Sequence, residues 1–121
     1  MAMRVLEADE FLNTDDLDIV PVSLPDKYGA DSGFYVRTLD GDARSAIEKQ
    51  FANGRPSDDP RNFRASMLIR CVCKQDGTPV FTEAHRDRLM RKSAGTLETL
   101  FSTACRVNGF TKADVEEMEK N

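Results

Sequence analysis

The stretch SDDPRNFRASMLIRCVC, residues 57–73, is the strongest candidate for a core helix and decides the fold class. Asp59 and Pro60 predict its start, because aspartate is a favoured N-cap and proline at the first helical position loses no hydrogen bond that the helix needs. Apolar residues at helical spacing follow: Phe63, Met67, Leu68, Cys71 and Val72. We expect the run from Met67 to Cys73 to be the most buried part of the chain.

Upstream of this helix, residues 16–39 predict an antiparallel β-hairpin. The segment LDIVPVSLP (17–25) is β-branched and nearly alternating, and Pro21 within it limits this strand to a sheet edge. The segment FYVRTL (34–39) predicts the second strand, and the turn-rich DKYGADSG (26–33) connects the two. A two-stranded hairpin is marginal alone, so we expect it to pack on the helices that follow.

Residues 40–121 predict short, well-punctuated helices. The first, in DGDARSAIEKQFANG (40–54), has either Asp40 or Asp42 as its cap, a stop at Asn53-Gly54, and three apolar residues four apart: Ala43, Ile47 and Phe51. The joint KQDGTPVFTEAHRDRL (74–89) contains a turn at Asp76-Gly77, two apolar residues directed inward, Val80 and Phe81, and Thr82 as the cap of a basic helix over 83–92.

The last two helices are punctuated just as clearly. A helix over 94–107 has helically spaced Leu97, Leu100, Phe101, Ala104 and Val107 and ends at Asn108-Gly109. The final helix starts with a Thr111/Asp114 capping box and a Phe110/Val115 hydrophobic staple. With only Val115 and Met118 as its apolar seam, this helix should fray unless another element covers it.

Together these elements predict an α+β, mostly α fold, in which an N-terminal hairpin packs on a bundle of four to five short helices. At 121 residues the chain is long enough for one domain with a modest core. We expect a single domain over 1–121, with the hairpin at 16–39 and the helical part at 40–121. Residues 1–15 mix Leu6, Phe11 and Leu12 with acids, which leaves a short helix and a flexible arm both open.

Charge is unevenly distributed along the chain. The net charge is −6 over residues 1–26, +4 over 27–110 and −2 over 111–121. This mildly basic middle, with a pI of about 5.0, is far from the basic footprint of a nucleic-acid binder. No apolar run approaches the roughly 20 residues that span a bilayer, and the start lacks signal-peptide order, so we expect a cytoplasmic protein.

Catalytic and metal-binding patterns are missing from the sequence. The three cysteines, Cys71, Cys73 and Cys105, are interpreted as reduced core thiols, and His85 as a solvated helix residue without a partner at catalytic or ligand spacing. We find no nucleophile with a base, no paired acids and no phosphate-binding glycine loop. The sequence therefore predicts a protein that is not an enzyme and has no cofactor.

The order of these features resembles that of the small tail assembly chaperones of long-tailed bacteriophages and prophages, over roughly residues 5–121. The resemblance is most specific in the D-G-x-P-x-F-T joint (76–82), in Lys92-Ser93 followed by Leu97, Leu100 and Phe101, and in the Asn108-Gly109 stop before an acidic helix. One departure is YGADSG (28–33), which stands where the family commonly has a WGG-type turn.

The resemblance implies a non-enzymatic assembly factor of the bacterial host cytoplasm. Such proteins bind the long tape measure protein, keep it soluble and help recruit tail tube subunits, and they are not retained in the mature virion. This chain would be the short product, beside a longer form made by frameshifting. Neither membrane nor nucleic acid is implied as a partner, and homo-oligomer formation is left open.

Two surfaces are candidates for client or self-contacts. One is the basic patch of Arg88, Arg91 and Lys92, at neighbouring helical positions, and the other is the exposed seam of Val115 and Met118. The main alternative is a small DNA-binding or regulatory helical protein of a prophage, with 83–92 and 94–107 as a helix-turn-helix. The acidic pI and the single Arg106 in 94–107 disfavour it.

Overall fold

The computed structural model of this chain describes residues 2–51 and 61–120, and within them a three-stranded sheet lies beside seven α-helices. The predicted α+β, mostly α class with an N-terminal hairpin is confirmed. The predicted stop at Asn53-Gly54 and start at Asp59-Pro60 lie outside the described residues.

The helices are α1 (Ala8–Leu12), α2 (Pro25–Tyr28), α3 (Gly41–Phe51), α4 (Arg61–Cys71), α5 (Arg86–Leu89), α6 (Ala94–Val107) and α7 (Lys112–Lys120).

The hairpin consists of β1 (Ile19–Ser23) and β2 (Gly33–Arg37), which pair antiparallel from Ile19↔Arg37 to Ser23↔Gly33. Its connection contains the single turn α2. Strand β1 lies at the sheet edge, as Pro21 predicts. The backbone of Asp18 and of Leu24 is hydrogen-bonded to the chain on the β2 side. Because the backbone groups of successive residues point to alternate sides of a strand, even-numbered residues of β1 bond to β2 and odd-numbered residues face the free edge. The nitrogen of Pro21 therefore lies at the free edge, where no donor is needed.

A third strand, β3 (Val72–Cys73), pairs antiparallel with the other side of β2. The prediction that the central helix continues through Val72 is therefore wrong: α4 ends at Cys71, and Val72 lies opposite Val36. As a strand, Val72–Cys73 pairs with the edge of β2 that β1 leaves free. This stabilisation depends on Val36, which lies 36 residues earlier in the chain.

Helix α4 lies at the centre of the helical part and contacts α3, α5, α6 and α7. The predicted burial of its C-terminal run is confirmed in the main, because Met67, Leu68 and the three residues from Cys71 to Cys73 are at most 1% exposed. Ile69 and Arg70 are half-buried. One cluster of buried side chains joins α4 to the hairpin and to the last two helices.

The prediction for one helix is wrong, and for another the condition under which it would not fray is met. The basic helix expected over 83–92 is a 3-10 turn (Glu83–His85) followed by the single turn α5, which ends at Leu89. Helix α7 has a covered seam, since it packs on α3 and α4 and Met118 is buried. The Phe110/Val115 staple contributes to the same cluster.

Helix ends follow the predicted chemistry. Asp40, not Asp42, caps α3, since its Oδ1 accepts from the Ala43 amide at 2.8 Å. Helix α6 ends in a Schellman motif, with Gly109 at φ 71° and the Phe110 amide donating to the Cys105 carbonyl. The Thr111 capping box is formed in both directions with Asp114, at 2.9 and 3.1 Å.

Gly33 is required where β2 begins, because a Cβ built there would lie 2.0 Å from the Val22 carbonyl oxygen. We expect Gly33→Ala to lower the free energy of unfolding by about 2–3 kcal/mol, since only a backbone shift relieves the contact. Gly41→Ala is the matched control, because a Cβ there meets nothing within 4 Å. It should stay within about 0.5 kcal/mol of the wild type in urea unfolding. Equal stability of the two variants would contradict this placement of Gly33.

Candidate functional site

A groove of about 440 Å³ opens between the connecting end of the hairpin and helices α5 and α6; we call it the hairpin groove. Its floor consists of the buried Leu89, Leu97 and Leu100. The walls and the rim come from separate parts of the chain: Leu24, Tyr28, Phe34 and Phe81 form the walls, and His85, Arg88 and Lys92 form the rim. An apolar floor beneath a cationic rim is the main chemical feature of this surface.

The floor follows from the helical spacing of α6. Leu97 and Leu100 lie three residues apart on the face that α6 turns towards the sheet, and Leu89 closes the adjoining turn of α5. The Ser93 hydroxyl accepts from the Thr96 amide and fixes the start of α6 at the groove edge. The groove therefore lies where a capped helix and a helical turn meet under the hairpin.

The aromatic wall comes from the joint at 76–82. The rings of Phe34 on β2 and Phe81 meet edge to face with centroids 5.5 Å apart, and Phe81 meets His85 in the same manner at 6.0 Å. The Thr82 amide donates to His85 Nδ1 at 3.0 Å, which holds the imidazole at the N-terminus of the 3-10 turn. His85 is half-buried, so the interpretation as a simple solvated residue is incomplete.

Tyr28 forms the outer wall and connects it to the rim. Tyr28 is 50% exposed, and Lys92 Nζ lies 5.6 Å from its ring centroid, within cation–π range. A second depression, on the other side of Tyr28, shares Leu24, Lys92 and Thr96 with the groove. Tyr28 is therefore an exposed aromatic anchor between two concave surfaces.

Arg86 has a structural role and does not belong to the rim. Its guanidinium donates to both carboxylate oxygens of Glu83, at 2.8 and 2.9 Å, and to the buried hydroxyl of Ser66 at 2.9 Å. The hydrogen bonds from Arg86 lower the pKa of Glu83. These bonds hold the joint against α4, so the neighbouring cations are presented on a fixed backbone.

The basic residues predicted from the sequence are exposed, and two of the three line the groove. Arg88 and Lys92 are on its rim, whereas Arg91 is exposed outside it. Within residues 2–51 and 61–120, no carboxylate forms an ion pair with Arg88, and none lines the groove. The rim therefore keeps its positive charge available for an anionic group.

The second predicted surface, the exposed apolar seam of Val115 and Met118 on α7, is not exposed as predicted. Met118 is 6% exposed and packs in the core, so the expectation that it is available to a client is wrong. Val115 is half-buried and lines a shallow depression next to Phe101 and Phe110. Glu119 on α7 forms an ion pair with Arg64 on α4, with 3.6 Å between Oε1 and Nη2.

The cysteines are buried free thiols, as the sequence predicts. Burial raises the pKa of Cys71 to about 12 and that of Cys105 to about 11. Both thiols therefore remain protonated near neutral pH, a state in which cysteine is a poor nucleophile.

Within residues 2–51 and 61–120, no three His, Cys, Asp or Glu side chains are grouped so that they could hold a metal ion. No helix in the same ranges has the length and apolar character needed to cross a membrane.

Sequence reasoning found the rim of the groove but missed its walls. Tyr28, Phe34 and Phe81 come from three separate segments, and no local spacing connects them. One signal was present: Tyr28 is an aromatic residue in a turn-rich connection, where core packing does not require one.

Comparisons with protein-family models, with curated proteins and with solved structures found no match to this chain.

Proposed function

We propose that the chain is a non-catalytic tail assembly chaperone of a long-tailed bacteriophage or prophage, in its short form. It binds the tape measure protein, keeps it soluble and helps recruit tail tube subunits. The hairpin groove, apolar inside and cationic at its rim, is the observation that carries the proposal. The order of sequence motifs along residues 5–121 supplies the choice of family.

The groove has the chemistry that a helical client needs. A long helical protein exposes apolar side chains at helical spacing, and a groove with a hydrophobic floor can bury a few of them. The cations at Arg88 and Lys92 would contact acidic residues beside such a seam. The charged surface around the groove would keep the complex soluble while the client's own seam is covered.

The proposal includes the partners and location that belong to this function. The tape measure protein is the client, the tail tube protein is recruited to it, and a frameshifted longer form of the same chain is a further partner. The complex forms in the cytoplasm of the bacterial host and leaves before the virion is mature. No catalytic step is required of any residue described here.

The DNA-binding or regulatory alternative has less support. Its first helix would be residues 83–92, which contain only a 3-10 turn and the four-residue α5. Its recognition helix would be α6, where Arg106 is the one basic residue and lies in the last turn.

A charge-reversal pair tests the placement of the client on the groove. We expect Arg88→Glu to weaken binding of the tape measure protein about tenfold, because it places a carboxylate at the rim where the client brings its own acids. Arg91→Glu is the matched control, with the same change in charge three residues away and outside the groove. It should change the Kd by less than about threefold. Calorimetry with a soluble segment of the client measures both, and equal losses would exclude the groove.

A further inference from the structure

We propose that the hairpin groove of one copy receives the N-terminal segment, residues 2–18, of a second copy of this chain. The contact would make a symmetric dimer in which each copy gives a segment and a groove. This inference goes beyond the binding of a client and does not depend on it.

The N-terminal segment presents an apolar surface that its own fold leaves uncovered. The exposed large hydrophobic residues of the described chain are concentrated there: Met3, Val5, Leu6, Phe11, Leu12 and Leu17, followed by Ile19 at the start of β1. Phe11 is 58% and Leu12 72% exposed, and α1 has no buried residue. The one other member of this set is Tyr28, in the wall of the groove. The segment is therefore the main uncovered apolar area of the described residues, and Tyr28 is the exposed large apolar side chain of the groove, above a floor of Leu89, Leu97 and Leu100 that is at most 6% exposed.

Charge makes the two surfaces complementary. The segment carries six carboxylates and one arginine, a net charge of −5. Arg4 is already paired with Glu10 at 3.1 Å, and Asp15 Oδ1 accepts from the Leu17 amide at 3.0 Å, so the carboxylates of Asp9 and Asp16 remain for other contacts. The groove presents Arg88 and Lys92 at its rim and no carboxylate from the described residues. The apolar side chains of the segment match the apolar walls of the groove, and its negative charge matches the positive charge of the rim.

The position of the segment favours a second copy over the chain's own groove. The segment enters the sheet at Asp18, whose carbonyl accepts from the Thr38 amide at 2.9 Å. The groove lies at the other end of the hairpin, beside Gly33 and Phe34. In the structure the segment does not enter that groove, since none of residues 2–18 lines it and Phe11 and Leu12 are exposed. A second copy can supply the segment, and two-fold symmetry would fill both grooves at once.

The test uses the 121-residue chain and two variants of it that change exposed residues only. In sedimentation equilibrium the wild type should be a dimer whose Kd rises severalfold between 50 and 500 mM salt, because salt screens exposed charges. Phe11→Ser/Leu12→Ser removes the apolar anchors of the segment, and Arg88→Glu/Lys92→Glu reverses the rim. Each should raise the dimer Kd at least about tenfold. Arg91→Glu should leave the Kd within about threefold of the wild type.

Mixing the two variants identifies the contact. The segment variant retains a normal groove and the rim variant retains a normal segment, so an equimolar mixture restores one unaltered contact, whereas each variant alone has two altered ones. We expect the mixture to form a heterodimer at a concentration where each variant alone is monomeric. A monomeric wild type would overturn the proposal, whether the segment lies in its own groove or in none. So would a dimer that survives both variants, or a mixture that stays monomeric. No client is present, so these results are independent of the tape measure assignment.

Discussion

Phe63→Ala should lower the free energy of unfolding by about 3–5 kcal/mol, the largest loss expected from one substitution in this chain. Phe63 is 1% exposed, and its ring meets three others edge to face: Phe51 at 5.4 Å, Phe101 at 5.8 Å and Phe110 at 6.0 Å. These rings come from α3, from α6 and from the turn between α6 and α7. Alanine would leave a cavity where three elements meet α4, so the loss includes both transfer and cavity terms.

The loss is large beside the total stability of a small domain, which is about 5–15 kcal/mol. Thermal unfolding should show a fall in Tm of about 10–20 °C. Phe11→Ala is the matched control, since the same atoms are removed from a ring that is 58% exposed. Measured at a concentration where the chain is monomeric, it should change stability by less than about 0.5 kcal/mol. Similar Tm values for the two variants would mean that Phe63 does not join these elements.

Asn108→Ala should be the second most destabilising change, at about 2–4 kcal/mol. Its Oδ1 accepts from the Leu39 amide at 2.7 Å, and its Nδ2 donates to the carbonyls of Ala104 at 2.8 Å and Arg37 at 3.3 Å. Asn108 therefore connects the end of α6 to the chain that leaves β2. Alanine would leave the Leu39 amide and the Arg37 carbonyl without this partner in a largely buried site, which costs more than the bonds contribute.

Two measurements separate this role from a general loss of helix capping. Urea unfolding gives the change in free energy, with Asn13→Ala as control, because Asn13 also follows the end of a helix but is exposed. That control should remain within about 0.5 kcal/mol of the wild type. Hydrogen exchange should show the Leu39 amide protected in the wild type and exchanging much faster in Asn108→Ala. Unchanged protection would show that another group holds this amide.

The elements that the sequence predicts well are those whose chemistry is local. The edge position of β1 follows from Pro21 alone, and the Thr111 capping box follows from two residues three apart. The end of α6 was equally readable, because Gly109 can adopt the positive φ of 71° that a Schellman motif needs. In each case the signal lies within a few residues of the feature.

The features that could not be predicted depend on contacts between distant segments. The apolar run at Cys71, Val72 and Cys73 suits a buried helix or a buried strand equally, and only pairing with β2 decides for the strand. The covering of Met118 likewise depends on α4, which the pattern of α7 does not reveal. The hairpin groove combines Tyr28 with Phe81 and Lys92, so only its charged rim was available to sequence reasoning.

The client and the N-terminal segment of a second copy are proposed to occupy the same groove. A client that binds there would therefore have to displace the segment.

Co-expression with the proposed client, a long and helix-rich tape measure protein, tests the central claim most directly. The long protein is produced alone, with the wild-type chain and with the Arg88→Glu variant, and the soluble fractions are compared by sedimentation and size-exclusion chromatography. We predict that the long protein is insoluble alone, becomes soluble and co-elutes with the wild-type chain, and is recovered much less with Arg88→Glu. A long protein that remains in the pellet with the wild-type chain, or that becomes soluble without co-eluting, would contradict the proposed function.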